Sequence, residues 1–249
     1  MIILKSSQEI ERMRVPCKIV AETLELLRQK IQPGVTTSAL DQIAEKQASK
    51  SNAVPAFKGY SGYPFSLCCS VNDQVVHGFP TTEELRPGDI VSIDFGVVYD
   101  GFYGDAAITV AVGSVSNDAL MLIKVTEEAL YKGIEKATAR NNLSDISAAV
   151  QAHAEKSGFS VVREFVGHGI GRSLHESPQV PNFGKPGRGV KLKPGMVLAI
   201  EPMINQKGPG VKVLSDGWTA VTLDGGLSAH FEHTVAITEN GPEILTVFS

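Results

Sequence analysis

The chain is poor in the features that mark secreted, membrane-bound or nucleic-acid-coating proteins. It has only three cysteines, Cys17, Cys68 and Cys69, with no C-x-x-C spacing. An odd, unspaced set excludes a disulfide framework and a cysteine zinc site, and implies reduced thiols. No stretch approaches the roughly eighteen apolar residues of a membrane span, and the apolar part of "MIILKSSQEIERM" is too short for a secretory signal. No five like charges run together, and a net charge of −4 with a pI near 5.9 argues against nucleic-acid binding. There is also no low-complexity linker. What is left is a cytoplasmic, globular chain of 249 residues, 43% hydrophobic and 20% charged. It is long enough for one large domain with a substantial core.

The periodicity predicts four helices. Residues 7–31 carry Ile10, Met13, Cys17, Val20, Leu24 and Leu27 at helical spacing, with Pro16 expected to kink or split the helix near Val15. A second helix is expected to open at Ser38, with Asp41 as its capping partner. A third covers 116–138 behind a serine cap, and a fourth follows Ser144 and ends at Gly158. Strand-like runs occupy 65–71, 90–98, 103–111, 160–165, 196–204, 219–223 and 230–238. Two of these runs repeat a pattern: "RPGDIVSID" (86–94) and "KPGMVLAIE" (193–201) stand 107 residues apart. The helical "SALDQIAEKQA" and "SDISAAVQAHA" stand 106 apart. The repeat implies duplicated halves of about 1–112 and 113–249, each sending one acid on a strand into a shared centre of a single domain, 1–249.

Acids are the conspicuous content of these strands. In "VSIDFGVVYDGFYGDAAITV" (91–110), Asp100-Gly101 supplies a hairpin turn, so Asp94 faces Ala107 and Asp105 faces Gly96. Both aspartates then share one face as diagonal neighbours. Two anions at about 4–5 Å repel by roughly 3–4 kcal/mol at an effective dielectric near 20, so a cation belongs between them. Glu201 stands in the otherwise uncharged "GMVLAIEPMI". In "LSAHFEHTVAIT", alternation puts His230 and Glu232 on one face and Phe231 and Val235 on the other. An arginine or lysine partner for each acid is the plainer reading, and it serves one acid better than four, since few basic residues lie in these strands. Two divalent ions supply the missing charge, and "GHGIGRSLHE" offers His168 and His175 to complete the shell.

The series "IDFGVVYDGFYGD", "FVGHGIGRSLHESPQVPNFG", "KPGMVLAIEPM" and "HFEHTVAIT" resembles the type I methionine aminopeptidases of the pita-bread-fold metallopeptidase family, over nearly the whole chain. The resemblance implies an α+β pita-bread fold, a central antiparallel sheet covered by helices. It also implies a monomeric exopeptidase that removes the initiator methionine from nascent chains when the second residue is small. By position, Asp94, Asp105, His168, Glu201 and Glu232 would hold two divalent metal ions (Co, Mn, Fe or Zn), with Asp105 and Glu232 bridging. The ions would activate a hydroxide, with Glu201 as the base. His77 would contact the peptide and its leaving amine, and His175 would donate to the scissile oxygen.

Phe57, Tyr60, Tyr63, Cys68, Leu174 and Trp218 match positions that line the methionine pocket. Leu174 and Phe57 depart from many relatives, which carry an aromatic and a smaller residue there. Nascent polypeptide N-termini at the ribosome are the implied partners, with no membrane and no direct nucleic-acid contact. Two readings compete: a proline-directed pita-bread aminopeptidase, opposed by the absence of a large preceding domain, and a non-catalytic binding protein, opposed by the filled ligand positions. Only a short stretch separates His168 from Glu201, without the helical insertion of type II enzymes.

Overall fold

The first apolar stripe forms helix α1, Ser7–Lys30, in the computed structural model, which describes residues 1–247. Ser6 caps it reciprocally: its Oγ accepts from the Glu9 N–H at 3.2 Å, and Glu9 Oε2 accepts from the Ser6 N–H at 3.0 Å. The expected split at Pro16 does not occur. Pro16 is buried, and its junction with Cys17 lies so close to Gly104 that a Cβ there would stand 2.7 Å from the Cys17 nitrogen. The helix thus runs on past the hydrogen bond that proline removes, with its backbone packed against the strand at Gly104.

Helix α2, Thr37–Lys50, opens one residue before the expected Ser38 cap, with Thr36 Oγ1 accepting from the Ala39 N–H at 3.2 Å. Asp41 is no cap partner; it accepts from the Ser66 and Leu67 N–H groups, both at 2.9 Å. Helix α3, Asn117–Ile134, has its serine cap at Ser116. Helix α4, Leu143–Lys156, starts behind Asn142, whose N–H donates to Asp145 Oδ2 at 2.7 Å, and Ser144 falls inside it. Each bound of α4 lies 106 residues after the matching bound of α2.

The main sheet has nine strands: β1 Val54–Pro55, β2 Cys68–Val71, β3 Ile90–Tyr99, β4 Phe102–Ala111, β5 Gly167–Gly169, β6 Glu176–Val180, β7 Val197–Ile200, β8 Glu232–Thr238 and β9 Gly241–Ile244. Their order is β1-β3-β4-β8-β7-β5-β6, with β2 also on β3 and β9 also on β8, and the pairings are antiparallel. The hairpin register is the expected one: Tyr99 opposes Phe102, Asp94 opposes Ala107 and Gly96 opposes Asp105. Asp100 and Gly101 have φ of 49° and 75°, the positive pair that a tight hairpin turn demands.

Two long runs are not continuous strands. β7 stops at Ile200, and Met203–Asn205 joins a separate three-stranded sheet with Ser228–His230 and Ser160–Val161. Phe231 likewise divides Ser228–His230 from β8. Pro202 has no N–H to continue the ladder, and its carbonyl accepts from the Phe231 N–H at 3.3 Å. The remaining runs shorten to Cys68–Val71, Ser160–Val161 and Ala220–Thr222, the last pairing with Val211–Val213 and Gln74–Val76.

Parity along the strands decides what faces what. Ile93, Phe95 and Val97 on β3, Ala106 and Ile108 on β4, Leu198 and Ile200 on β7, and Val235 and Ile237 on β8 join Leu24, Leu27, Leu40, Leu130 and Ile146 of the helices in one core. Their intervening neighbours, Asp94, Asp105, Glu201 and Glu232 among them, point to the opposite side. Burial of the helix-facing set therefore also fixes the orientation of the acids.

Candidate active site

Asp94 opposes Ala107, and Ala107 opposes Glu232, so one row crosses three strands with a small residue in the middle. Asp105, two residues before Ala107, shares their face. It sits opposite Gly96, where a Cβ would lie 3.1 Å from Asp105 Oδ1 and 3.0 Å from the Phe57 ring. Glu201 enters from the end of β7, beyond Ala199, which pairs with both His168 and Thr234. Thr234 Oγ1 donates to the Asp105 carbonyl at 2.7 Å and fixes the backbone behind that carboxylate.

The carboxylates have no lysine or arginine partner among the described residues. Their near neighbours are imidazoles: His168 Nε2 stands 3.5 Å from Glu201 Oε1, and His230 Nε2 stands 3.6 Å from Glu201 Oε2. Asp94 Oδ1, Asp105 Oδ1 and Glu232 Oε1 are buried without a hydrogen-bond partner, as is His230 Nε2. Ligand atoms of Asp105, His168 and Glu232 lie within 4.8 Å of one another. Orphaned oxygens at this density fit a divalent cation, because an unpaired buried carboxylate is otherwise costly. Burial raises the acids: Asp94 is pushed up to about 7 and Glu201 to about 8. Asp105 and Glu232 are raised well above the usual range, first by burial and then by the neighbouring acids.

Burial has the opposite effect on the imidazoles. It lowers His168 to about 3, and His77 to about 4 with help from His230 and His175. Neutral His168 has its tautomer set locally. Its Nδ1 lies 2.9 Å from the Gly169 carbonyl, which can only accept, so Nε2 keeps the lone pair that a cation needs. Burial also lowers His175, whose Nδ1 meets the Tyr60 hydroxyl at 2.8 Å and whose ring centroid lies 4.3 Å from that of His168. His77 holds φ of 59° and packs edge-on to Trp218 and Phe165.

Every site residue named from the sequence lines one cavity of about 270 Å³. Ser61, in the short 3-10 turn Tyr60–Gly62 with φ of 48°, is a lining residue that the sequence reading missed, and no signal in its neighbourhood marks it. The apolar wall is cross-braced. Tyr63 is edge-on to Trp218 at 5.1 Å and to Phe79 at 5.4 Å, and its hydroxyl donates to the Gly78 carbonyl at 3.0 Å. Cys68 pairs with Asp94 across β2 and β3, which joins this wall to the acids. A second cavity of about 200 Å³ shares His77, Asp94, His175 and Glu201 and continues to Val76, Phe165 and Met203. His233 Nδ1 lies 2.9 Å from Thr246 Oγ1.

Buried carboxylates gathered with imidazoles beside a substrate-sized cavity fit a metal-dependent hydrolase, and comparison with known proteins identifies the class. The sequence pattern of metallopeptidase family M24 matches residues 11–239. A methionine aminopeptidase of Clostridium perfringens is 61% identical over 247 residues, 99% of each chain. The crystal structure of a methionine aminopeptidase from Thermotoga maritima superposes with a TM-score of 0.97 at 49% identity, covering 99% of both chains. Prolidase from Pyrococcus furiosus, at 23% identity and a TM-score of 0.79, shares the fold, and this chain spans 66% of it. The chain belongs to metallopeptidase family M24 and, within it, to the methionine aminopeptidases. Its fold is accordingly the expected pita-bread fold.

Proposed function

We propose that this protein removes the initiator methionine from nascent polypeptides whose second residue is small, using two divalent metal ions drawn from Mn, Fe, Co and Zn. The carrying observation is the set of orphaned, buried carboxylate oxygens with no lysine or arginine partner among the described residues, placed against an aromatic and sulfur-lined cavity. Asp94, Asp105, His168, Glu201 and Glu232 would hold the ions. When bound, the ions supply Lewis acidity toward the scissile carbonyl and lower the pKa of water to near neutrality.

The chain's own groups do the rest. Glu201 accepts the proton of the attacking water and passes it on. His175 donates through Nε2 to the scissile oxygen as charge builds, with the Tyr60 hydroxyl against its other nitrogen. His77, held neutral by burial, contacts the peptide and its departing amine. Tyr63, Trp218, Cys68 and Leu174 receive the thioether, where sulfur–aromatic contacts contribute about 0.3–1.5 kcal/mol each. The second cavity takes the residue that follows, and Val76, Phe165 and Met203 limit its size.

We read 1–249 as one catalytic domain of duplicated halves, supported by the 106-residue recurrence of helix bounds. We read the protein as a cytoplasmic monomer acting on chains at the ribosome. No helix among the described residues is long and apolar enough to cross a membrane. The experiment is cleavage of Met-Gly-peptides by metal-reconstituted protein against Asp94→Ala. Activity at least a hundredfold above the variant is expected; equal rates would end this reading.

A further inference from the structure

The loop that carries His175 is tied to the far end of the chain. Glu176, the next residue, begins β6 and opposes Gly169, the neighbour of His168. Its Oε2 accepts from Lys5 Nζ at 2.5 Å, and the two side chains are 6% and 3% exposed. Its other oxygen, Oε1, accepts from the N–H groups of Arg172 at 2.8 Å and Ser173 at 3.2 Å, closing the loop on itself. Lys5 is fixed in turn: its Nζ donates to the Ile3 carbonyl at 3.2 Å and its N–H to the Gly195 carbonyl at 2.7 Å. Gly171 makes room for the pair, since a Cβ there would lie 2.3 Å from Lys5 Cε and 2.8 Å from Glu176 Oε1.

Replacing a buried ion pair by well-packed apolar side chains of the same size is often neutral in stability, so net stability alone does not account for this one. What it does provide is direction. One carboxylate simultaneously fixes the N-terminal segment and both backbone donors that shape residues 171–176, and His175 stands on that frame.

We propose that Lys5 and Glu176 are positioning residues for His175, holding its imidazole where it meets the scissile oxygen; this rests on the aminopeptidase reading above. Neither touches substrate. They act through the loop, and an error of about 1 Å in a catalytic group can cost about a hundredfold in rate.

The test uses the metal-loaded full chain on a Met-Ala-peptide, comparing Lys5→Met, Glu176→Met, the double variant and the near-isosteric Glu176→Gln. The double variant should melt within a few degrees of wild type, because an apolar pair replaces a buried ionic one. Its kcat should stay at least about tenfold low, with KM within about threefold and metal content unchanged. Placed in a His175→Ala background, the same pair should change kcat by less than about twofold, since there is no imidazole left to position. Recovery of kcat together with melting temperature would reduce the ion pair to a structural role and overturn the proposal. So would an undiminished loss in the His175→Ala background. If the methionine substitutions fail to fold, Glu176→Gln decides alone: wild-type kcat overturns the proposal and a drop of about tenfold at near-constant KM supports it. Wild-type protein that cleaves no Met-peptide would instead defeat the aminopeptidase reading itself.

Discussion

His77 and His175 line one cavity but are held in it by different means. Both are pulled toward the neutral form by burial, yet their fixings differ. His175 is held by a hydroxyl on one ring nitrogen, whereas His77 is held by a left-handed backbone at φ 59° and by the edges of two aromatic rings. A non-glycine residue in that region costs about 1–3 kcal/mol, and the strand on its N-terminal side together with the ring packing keeps it there. Neither histidine belongs to the cluster formed by Asp105, His168 and Glu232. Their loss should therefore separate from loss of metal. For His77→Ala and His175→Ala we expect kcat reduced by about 10²–10⁴-fold with metal stoichiometry near wild type, measured by elemental analysis on the same preparations used for kinetics. Metal loss in either variant would mean that the imidazole is a ligand and its role was misassigned.

At the scale of elements, α1 fits closely on β4, the strand that carries Asp105. A methyl group at Gly104 would strike backbone on Pro16 and Cys17 at 2.8 and 2.7 Å, and backbone cannot swing aside as a side chain can. Gly104→Ala should destabilise the protein by about 1–3 kcal/mol in thermal melts, and more if β4 shifts and carries Asp105 with it. An unchanged melting temperature would show that helix and strand have slack between them. This contact also marks a boundary of what was legible in the sequence. Alternation and turn chemistry are local, and they gave the hairpin register residue for residue, with Asp94 and Asp105 on one face. The continuity of α1 through Pro16 was not legible, since its packing partner there, Gly104, lies on a strand 88 residues away. Ser38 and Asp41 satisfied a capping pattern, yet Thr36 took the cap while Asp41 turned to a distant loop. The breaks at Glu201-Pro202 and Phe231 were hidden because both fragments of each run are apolar, and only the third dimension shows that they belong to different sheets. Lys5 and Glu176 carried no signal at all, being separated by 171 positions.

For the molecule as a whole, the acids come from well-separated stretches of the chain: Asp94 and Asp105 from one hairpin, Glu201 and Glu232 from strands about a hundred residues further on. Their shared centre makes folding depend on what neutralises them. Without ions, protons must do it, and burial raises Asp94 from its ordinary 3.8 to about 7 and Glu201 from 4.5 to about 8. The native state then binds more protons than the unfolded chain between those values. Stability of the metal-free protein is therefore full below about pH 4 as far as these groups are concerned, and is lost as pH rises through 7 to 8. Divalent ions compete with those protons, so loaded protein should escape the loss. At a hundred times the dissociation constant, binding contributes about 2.7 kcal/mol, or roughly 5–10 °C for a chain of this size. Melting temperatures of chelator-stripped and Mn(II)-loaded protein at pH 5.5 and 8 should diverge, with the gap widest at pH 8. Glu201→Gln should flatten the slope of the stripped form, because its amide needs no proton to stay neutral. A stripped protein that gains stability from pH 5.5 to 8 as strongly as the loaded one would show that the acids are compensated from within, and that the centre was never built for cations.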